Sequence, residues 1–285
     1  MLIMLRSFAD EDYSMSSSPN SQVYMFGSHE ESVQRYHLLN EILLPATADG
    51  IAHLAPKPDM QILEIGCGVG DTACYFAQHV VPDGYVTAFD LSPVFIGLAK
   101  QQAEEKNIKN ISFICADARD IVLKSNAYDL AHTRLVLEHI SERDVIVQKV
   151  YEWLRPSSCF FCEEQVILHG KTSADHWLNQ LVSWRLTLVE VGGGNPNYAT
   201  AELAEHMKAA GFTEIQSLVS TSHCDPVKVN EINYLGLQRE MKQKLIDLGI
   251  ATEEEIEAML RAMSKKPPDK SLSTFTMFQT LGRKP

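Results

Sequence analysis

The stretch that decides the fold reads Ile62-Leu63-Glu64-Ile65-Gly66-Cys67-Gly68-Val69-Gly70-Asp71-Thr72. It begins as a short apolar run, places glycine at every second position and then enters a helical pattern. Glycine allows the backbone to turn sharply and a ligand to approach closely, because no Cβ intervenes. In open α/β sheets, ligands bind at the carboxyl ends of the strands, where such turns lie. The stretch therefore predicts a strand at 61–65, a ligand-binding turn and a helix at about 70–80.

Strand and helix patterns alternate on both sides of this turn. Apolar runs predict further strands at 85–90, 111–116, 128–133, 159–167, 213–221 and 273–281. Apolar residues at helical spacing predict helices at 30–54, 93–106, 142–154, 174–191, 200–210, 229–248 and 253–263. Strands separated by helices require crossover connections, which predicts an α/β fold with a mostly parallel sheet.

The composition is that of an acidic globular protein. The chain has 285 residues, of which 45% are hydrophobic and 22% charged, with a formal net charge of −12. This charge disfavours nucleic-acid backbones and anionic membrane surfaces, and no apolar stretch approaches the length of a membrane-spanning helix. The six cysteines lack the spacing of a disulfide framework. We therefore expect a cytoplasmic protein with no nucleic-acid binding and no membrane insertion, and a mobile Ser-rich tail at 1–22; the oligomeric state is left open.

The charges around the glycine turn select among nucleoside ligands. Asp90 ends the second strand, twenty residues after Gly70, where an acid can bind a ribose diol. Asp71 stands where a dinucleotide-binding turn needs glycine or alanine, and its charge would repel a diphosphate at the helix N-terminus. Glu64 adds further negative charge, and Asp117 follows the third strand. The site therefore suits a positively charged nucleoside without phosphate, such as S-adenosylmethionine.

Several stretches resemble motifs of the class I S-adenosylmethionine-dependent methyltransferases. They are Glu64–Gly70, Asp90-Leu91-Ser92, Ala116-Asp117-Ala118, Trp153-Leu154-Arg155-Pro156, and Leu135–Ile140, the last typical of a small-molecule branch that includes quinone-biosynthesis enzymes. The resemblance implies one Rossmann-like domain over 23–285, with a seven-stranded sheet in the order 3-2-1-4-5-7-6 and an antiparallel last strand. It also implies a methyl transfer to a small-molecule acceptor by in-line displacement.

The resemblance implies a role for each matching residue. Glu64 and Gly66 would hold the methionine end, Arg134 would line the methionine pocket, and Gly68 and Gly70 would allow close approach of the cofactor. Asp90 would bind the ribose hydroxyls, Leu91 would pack on adenine, and Asp117 and Ala118 would form the adenine loop. Tyr24 and Arg35 would close the site from the N-terminal segment. Arg35 is a candidate partner for the cofactor carboxylate, with pairing to Glu31 on the same helix as the alternative.

Two residues are candidates for catalysis, although an activated sulfonium demands mainly proximity and orientation. His139 could act as a general base, and its alternative is a structural histidine at a helix start. Glu164, beside Glu163 at the end of the fifth strand, lies where acceptor and cofactor would meet, and its alternative is a solvated strand end. His132 is expected to be packed within the fourth strand. No metal site is expected, because the His, Cys and acidic residues lack ligand spacing.

Two helical insertions, 170–210 and 226–266, are predicted to form a substrate cap. A cap of this kind predicts that Trp184 or Phe161 forms part of the pocket wall. The alternative is a set of helices packed permanently on the sheet, because apolar stripes usually mean core. The rival functions are a nicotinamide-dependent oxidoreductase and a non-catalytic S-adenosylmethionine-binding protein, and the sequence leaves the acceptor and its reacting atom open.

Overall fold

The computed structural model describes residues 32–165, 176–265 and 274–285. The strands are β1 (Gln61–Ile65), β2 (Tyr85–Asp90), β3 (Ile111–Cys115), β4 (Tyr128–Arg134), β5 (Leu154–Gln165), β6 (Thr213–His223) and β7 (Thr274–Arg283). The helices are α1 (Val33–His53), α2 (Asp71–Tyr75), α3 (Pro93–Glu105), α4 (Arg143–Trp153), α5 (His176–Val191), α6 (Tyr198–Ala201), α7 (Leu203–Ala210), α8 (Pro226–Leu235), α9 (Lys242–Asp247) and α10 (Glu253–Lys265). π-Helical segments at Phe76–Val80 and Gly236–Met241 extend α2 and α8, and Leu137–His139 form a 3-10 turn.

The seven strands form one sheet in the order β3-β2-β1-β4-β5-β7-β6, as predicted. Strand β7 runs antiparallel to both of its neighbours, and the other neighbouring pairs are parallel. The order reverses between β1 and β4, so the carboxyl ends of these two strands open a crevice at the switch point. The fold therefore places the glycine turn after β1 where α/β proteins bind ligands.

Helices cover both faces of the sheet. One face carries a cluster that includes Trp153, Phe160 and Tyr198, and the other carries Ile62, Phe76 and Phe161. Strand β1 is fully buried between them, which explains its continuous apolar run. Residues 198–210, assigned to the first insertion by the sequence, pack on the sheet together with α4.

A separate hydrophobic cluster lies outside the sheet, and we call it the outer helical cluster. Its buried members come from α5, Gly236–Met241, α9, the turn before α10, and α10: Leu181, Trp184, Leu188, Val189, Leu237, Met241, Leu245, Ala251, Ile256, Met259, Leu260 and Met263. Helix α8 joins this cluster to the rest of the protein, because Val229 and Ile232 pack against Leu43 of α1 and Met277 of β7. In the described ranges, no helix is both long and apolar enough to cross a membrane.

Candidate active site

One pocket lies at the carboxyl ends of β1, β2 and β4, under α1, α5 and α8. Most of the predicted cofactor residues line it: Arg35, Glu64, Gly66, Gly68, Asp90, Leu91, Asp117, Ala118 and Arg134. His139 lines it as well, whereas Gly70 and Glu164 do not belong to its lining. Tyr24 lies outside the described residues. We expected Trp184 or Phe161 in the pocket wall. Each is instead buried in a hydrophobic cluster, and Ile232 and Phe275 line the pocket.

The three glycines of the turn have positive φ angles but different surroundings. A Cβ on Gly66 would lie 2.4 Å from Cγ2 of Val136, and one on Gly70 would lie 2.7 Å from Cβ of Ala99 in α3. A Cβ on Gly68 would meet no atom within 4 Å. Gly66 and Gly70 therefore allow neighbouring segments to pack on the turn, so the close approach predicted for Gly70 is wrong. Gly68 is the position whose missing side chain leaves space for a ligand.

Asp90 is joined directly to this turn. Its Oδ2 accepts a hydrogen bond from the backbone N–H of Gly68 at 2.9 Å, and its Oδ1 accepts one from Ser92 at 2.9 Å. Burial raises the pKa of Asp90, although these backbone donors oppose the rise. The carboxylate is thus fixed in orientation and keeps lone pairs for a further donor. Leu91 beside it is 46% exposed, which leaves an apolar surface available in the pocket.

Asp117 follows β3, next to β2 and Asp90, and is held by Arg119. The Nε and Nη2 atoms of Arg119 donate to the two carboxylate oxygens at 2.9 and 2.5 Å. Burial raises the pKa of Asp117, but the hydrogen bonds from Arg119 outweigh it and bring the pKa below its usual range. Asp117 is therefore an oriented carboxylate in the pocket wall.

A row of polar side chains crosses four strands beneath the pocket. Glu64 of β1 is the register neighbour of His132 on β4, and Glu163 of β5 is the register neighbour of Gln279 on β7. His132 and Glu163 face each other diagonally, because the register neighbour of His132 on β5 is Phe161. His132 Nδ1 lies 2.7 Å from Oε2 of Glu64, and its Nε2 lies 2.8 Å from Oε2 of Glu163. Gln279 Nε2 donates to Oε1 of Glu163 at 2.7 Å. Glu163 is 1% exposed, so the alternative of a solvated strand end is wrong for this residue.

The two carboxylates determine the charge of His132. Burial lowers the pKa of His132, but Glu64 and Glu163 raise it more, to about 9. The imidazole is therefore protonated at neutral pH and both of its N–H groups donate. This ion triad holds Glu64 in place at the pocket wall, with part of its charge already compensated.

Arg134 connects the tip of β4 to the helices above it. Its Nη1 donates to Oγ1 of Thr47 at 2.9 Å, and its Nη2 donates to Oδ1 of Asn40 and Oγ1 of Thr72, both at 2.8 Å. Thr47 in turn donates to Glu163 at 2.7 Å. Arg134 therefore joins β4 to α1 and α2 and also lines the pocket.

Arg35 forms an ion pair with a residue of another helix. Its Nη1 lies 3.2 Å from Oε2 of Glu240, in the π-helical segment after α8. Glu31 lies outside the described residues. The guanidinium thus connects α1 to the helices of the second insertion, and its cation is matched by a buried carboxylate.

The 3-10 turn after β4 carries the candidate catalytic residues. Glu164 is fully buried, and its Oε1 accepts the backbone N–H of Leu137 at 2.8 Å. It therefore stabilises the turn without facing the pocket, and its assignment to catalysis is wrong. Burial lowers the pKa of His139 to about 3, with help from Arg185 and Arg35, so that His139 is a neutral and weak base.

Glu138 of the same turn was not singled out from the sequence, yet it lines the pocket. Its Oε2 is buried and has no hydrogen-bond partner among the described residues. Burial, and then the nearby Glu164, raise the pKa of Glu138 well above its ordinary value. A buried carboxyl group with an unused oxygen is costly without a partner, so this oxygen is available for a ligand. The described ranges contain no group of three His, Cys, Asp or Glu residues able to hold a metal ion.

Comparison with known proteins finds similarity to methyltransferases. Residues 62–157 match a family model described as a methyltransferase domain. This region of the chain is therefore similar to methyltransferase domains. The chain is 26% identical to phosphoethanolamine N-methyltransferase 1 of Arabidopsis thaliana over 197 residues, which cover 69% of the chain and 38% of that protein. It is 22% identical to demethylmenaquinone methyltransferase of Listeria welshimeri over 101 residues, which cover 35% of the chain and 43% of that protein.

The fold of the chain matches solved structures over most of the chain's length. Mycolic acid cyclopropane synthase CmaA1, solved with SAH and CTAB, superposes with a TM-score of 0.63 at 16% identity, covering 93% of this chain and 99% of that one. This likeness shows a shared fold. The chain aligns with less than half of the length of the curated relatives named above.

Proposed function

We propose that the protein transfers the methyl group of S-adenosylmethionine to a small-molecule acceptor. The observation that carries the proposal is the Gly68 turn, which has open space before it and is bound through its N–H by Asp90 at the switch point of the sheet. The relatives support the same class of reaction, because they include a phosphoethanolamine N-methyltransferase and a demethylmenaquinone methyltransferase.

The residues of the pocket fit S-adenosylmethionine. The free lone pairs of Asp90 suit the ribose hydroxyls, and the exposed side chain of Leu91 suits an adenine ring. Glu64 at the pocket wall suits the ammonium group of the methionine end. A dinucleotide fits less well, because Asp71 lies in the first turn of α2 and would face the diphosphate with negative charge.

The protein's part in the reaction is positioning. S-adenosylmethionine supplies a sulfonium-activated methyl group for in-line displacement, so proximity and alignment carry most of the acceleration. Glu138, with its unused oxygen, is the group we expect to hold the N–H or O–H of the acceptor. His139 is uncharged at neutral pH, so its role is limited to accepting or donating a hydrogen bond.

Two further properties complete the proposal. All six cysteines are free thiols, which supports the predicted cytoplasmic location because disulfides are rare there. The helices of the outer helical cluster cover the pocket on the side away from Asp90, with Arg185 of α5 in its lining. We propose that these helices form the substrate cap.

Calorimetry of ligand binding tests the proposed function. We expect S-adenosylmethionine and S-adenosylhomocysteine to bind, and Asp90→Asn to weaken both by about 1.5–3 kcal/mol, because a hydrogen bond to a charged group is lost. The control is Asp129→Asn, which removes a carboxylate that pairs with Arg155 at the opposite end of the sheet and should bind both ligands as the wild type does. Binding of NADH without either adenosyl ligand would overturn the proposal.

The two glycines Gly66 and Gly68 give a second prediction. Alanine at either position adopts a positive φ at a cost of roughly 1–2 kcal/mol. Gly66→Ala also clashes with Val136, so we expect a further loss of about 1–3 kcal/mol of stability. Gly68→Ala points its methyl group into the pocket. When both folded variants are compared, we therefore expect Gly68→Ala to bind S-adenosylhomocysteine more weakly than Gly66→Ala. Equal unfolding free energies for the two variants in urea would contradict this distinction.

A further inference from the structure

Arg185 lines the pocket and has no acidic side chain within 4 Å among the described residues. It extends from α5 and contacts Gln165 at the end of β5. Asp90 ends β2, three strands from β5 in the sheet order, so the ends of these two strands lie about 14 Å apart by strand spacing and mark opposite sides of the pocket. Arg185 therefore belongs to the part of the pocket that the adenosyl ligand leaves for the acceptor.

The contacts of Arg185 use little of its hydrogen-bonding capacity. Its Nη2 donates to Oε1 of Gln165 at 3.3 Å, and no acidic group lies within 4 Å of it among the described residues. A guanidinium has five N–H donors. Burial lowers the pKa of Arg185 to about 10, so that the group is still charged at neutral pH. A desolvated cation with one long hydrogen bond is costly unless a ligand completes its contacts.

The neighbouring groups define the charge of the missing partner. Arg35 is matched by Glu240, and His139 is neutral because its pKa lies at about 3. Glu138 favours its protonated form, since burial raises its pKa. The positive charge of Arg185 remains unmatched, and a second negative charge on a ligand would face the carboxylate of Glu240. A single carboxylate fits this balance and also matches the planar guanidinium in bidentate geometry.

We propose that Arg185 binds a carboxylate of the methyl acceptor, with the rest of the acceptor packed against Ile232 and Phe275. The acceptor class is then a monocarboxylic acid with an apolar body, whose nucleophile faces Glu138. As an assignment of the acceptor, this inference rests on the proposed methyl-transfer function. The anion site itself is a property of the pocket that is measurable without any cofactor.

Binding of benzoate, benzamide and phenyl phosphate tests the site by NMR titration of the full chain. The first two probes have the same shape and differ in charge. We expect benzoate to bind at least tenfold more tightly than benzamide. Arg185→Gln should weaken benzoate at least tenfold and leave benzamide unchanged, and Arg185→Lys should keep a preference for benzoate. The control Arg155→Gln removes a cation near the start of β5 and should bind benzoate as the wild type does.

Four results would overturn the carboxylate assignment. For the wild type they are equal affinity for benzoate and benzamide, no benzoate binding, and tighter binding of phenyl phosphate than of benzoate. The fourth is an unchanged benzoate affinity in Arg185→Gln. The titrations are run without and with S-adenosylhomocysteine. Failure to bind S-adenosylhomocysteine would count against the proposed function alone, whereas loss of the benzoate preference in both series counts against Arg185.

Discussion

Replacement of His132 by glutamine is expected to lower the free energy of unfolding by about 3–5 kcal/mol, the range for breaking a buried ion pair by removing one partner. The imidazolium lies between Glu64 and Glu163 at 2.7 and 2.8 Å, and it is fully buried. Glutamine leaves the two carboxylates facing each other without a cation. Urea unfolding followed by circular dichroism measures the loss, and His53→Gln at an exposed site is the control, with an expected change within about 0.5 kcal/mol.

The pH dependence of stability identifies the cause of that loss. The pKa of His132 is about 9 in the folded protein and about 6.5 in the unfolded chain. Its contribution is therefore complete below pH 6.5 and disappears as the pH rises through 9, by roughly 3 kcal/mol. His132→Gln should lack this decline, while His53→Gln should keep it. Parallel pH profiles for the wild type and His132→Gln would show that the triad does not hold a raised histidine pKa.

The fold could be predicted because its signals are local and consistent. Strands β1 and β2 were predicted with their exact bounds, since each is a continuous apolar run that ends at a turn or an acid. Strand β5 begins at Leu154, five residues before the prediction, because Arg155 and Pro156 interrupt its apolar pattern while its pairing with β4 starts there. The strand order came from the family resemblance and was confirmed.

The polar row could not be found from any one strand. Glu64 interrupts the apolar run of β1, whereas His132 and Glu163 begin the polar ends of β4 and β5, and only the pairing of three strands brings them together. An alternating pattern assigns a face to each residue but gives no partner. With the strand order known, the position of all three among the last three residues of their strands would have been the signal. The same limitation explains why Glu164, next in sequence, was assigned to the wrong face.

The helices of the insertions show a second limit. Their apolar stripes were recognised, but a stripe does not identify the surface it covers. Ile256, Met259 and Leu260 pack in the outer helical cluster, whereas Val229 and Ile232 pack on α1 and β7. Arg185 was missed because it is one polar residue between the buried Trp184 and Leu186. The charge of Arg185 suggests a ligand site only when its neighbours are known, namely Arg35 with its partner Glu240 and Glu138 with an unused oxygen.

A matched pair of leucine substitutions should separate the outer helices from the sheet. Leu188 is fully buried in the outer helical cluster, and Leu203 is fully buried in the cluster on the sheet beside α4. Leucine-to-alanine changes in cores cost about 2–5 kcal/mol. The outer helical cluster contains no buried member from the sheet, so we expect Leu188→Ala to destabilise these helices alone. Leu203→Ala should destabilise the sheet and α4.

Hydrogen exchange measures this difference segment by segment. For Leu188→Ala we expect faster exchange in α5, Gly236–Met241 and α10, with exchange in β1 and β4 unchanged. S-adenosylhomocysteine should slow amide exchange in the outer helices if these helices close over the ligand. For Leu203→Ala we expect faster exchange in α4 and β5. Equal acceleration of the outer helices and the sheet in both variants would mean that they unfold as one unit. In that case the helices are a permanent cover of the sheet, and ligand exchange must proceed without their opening.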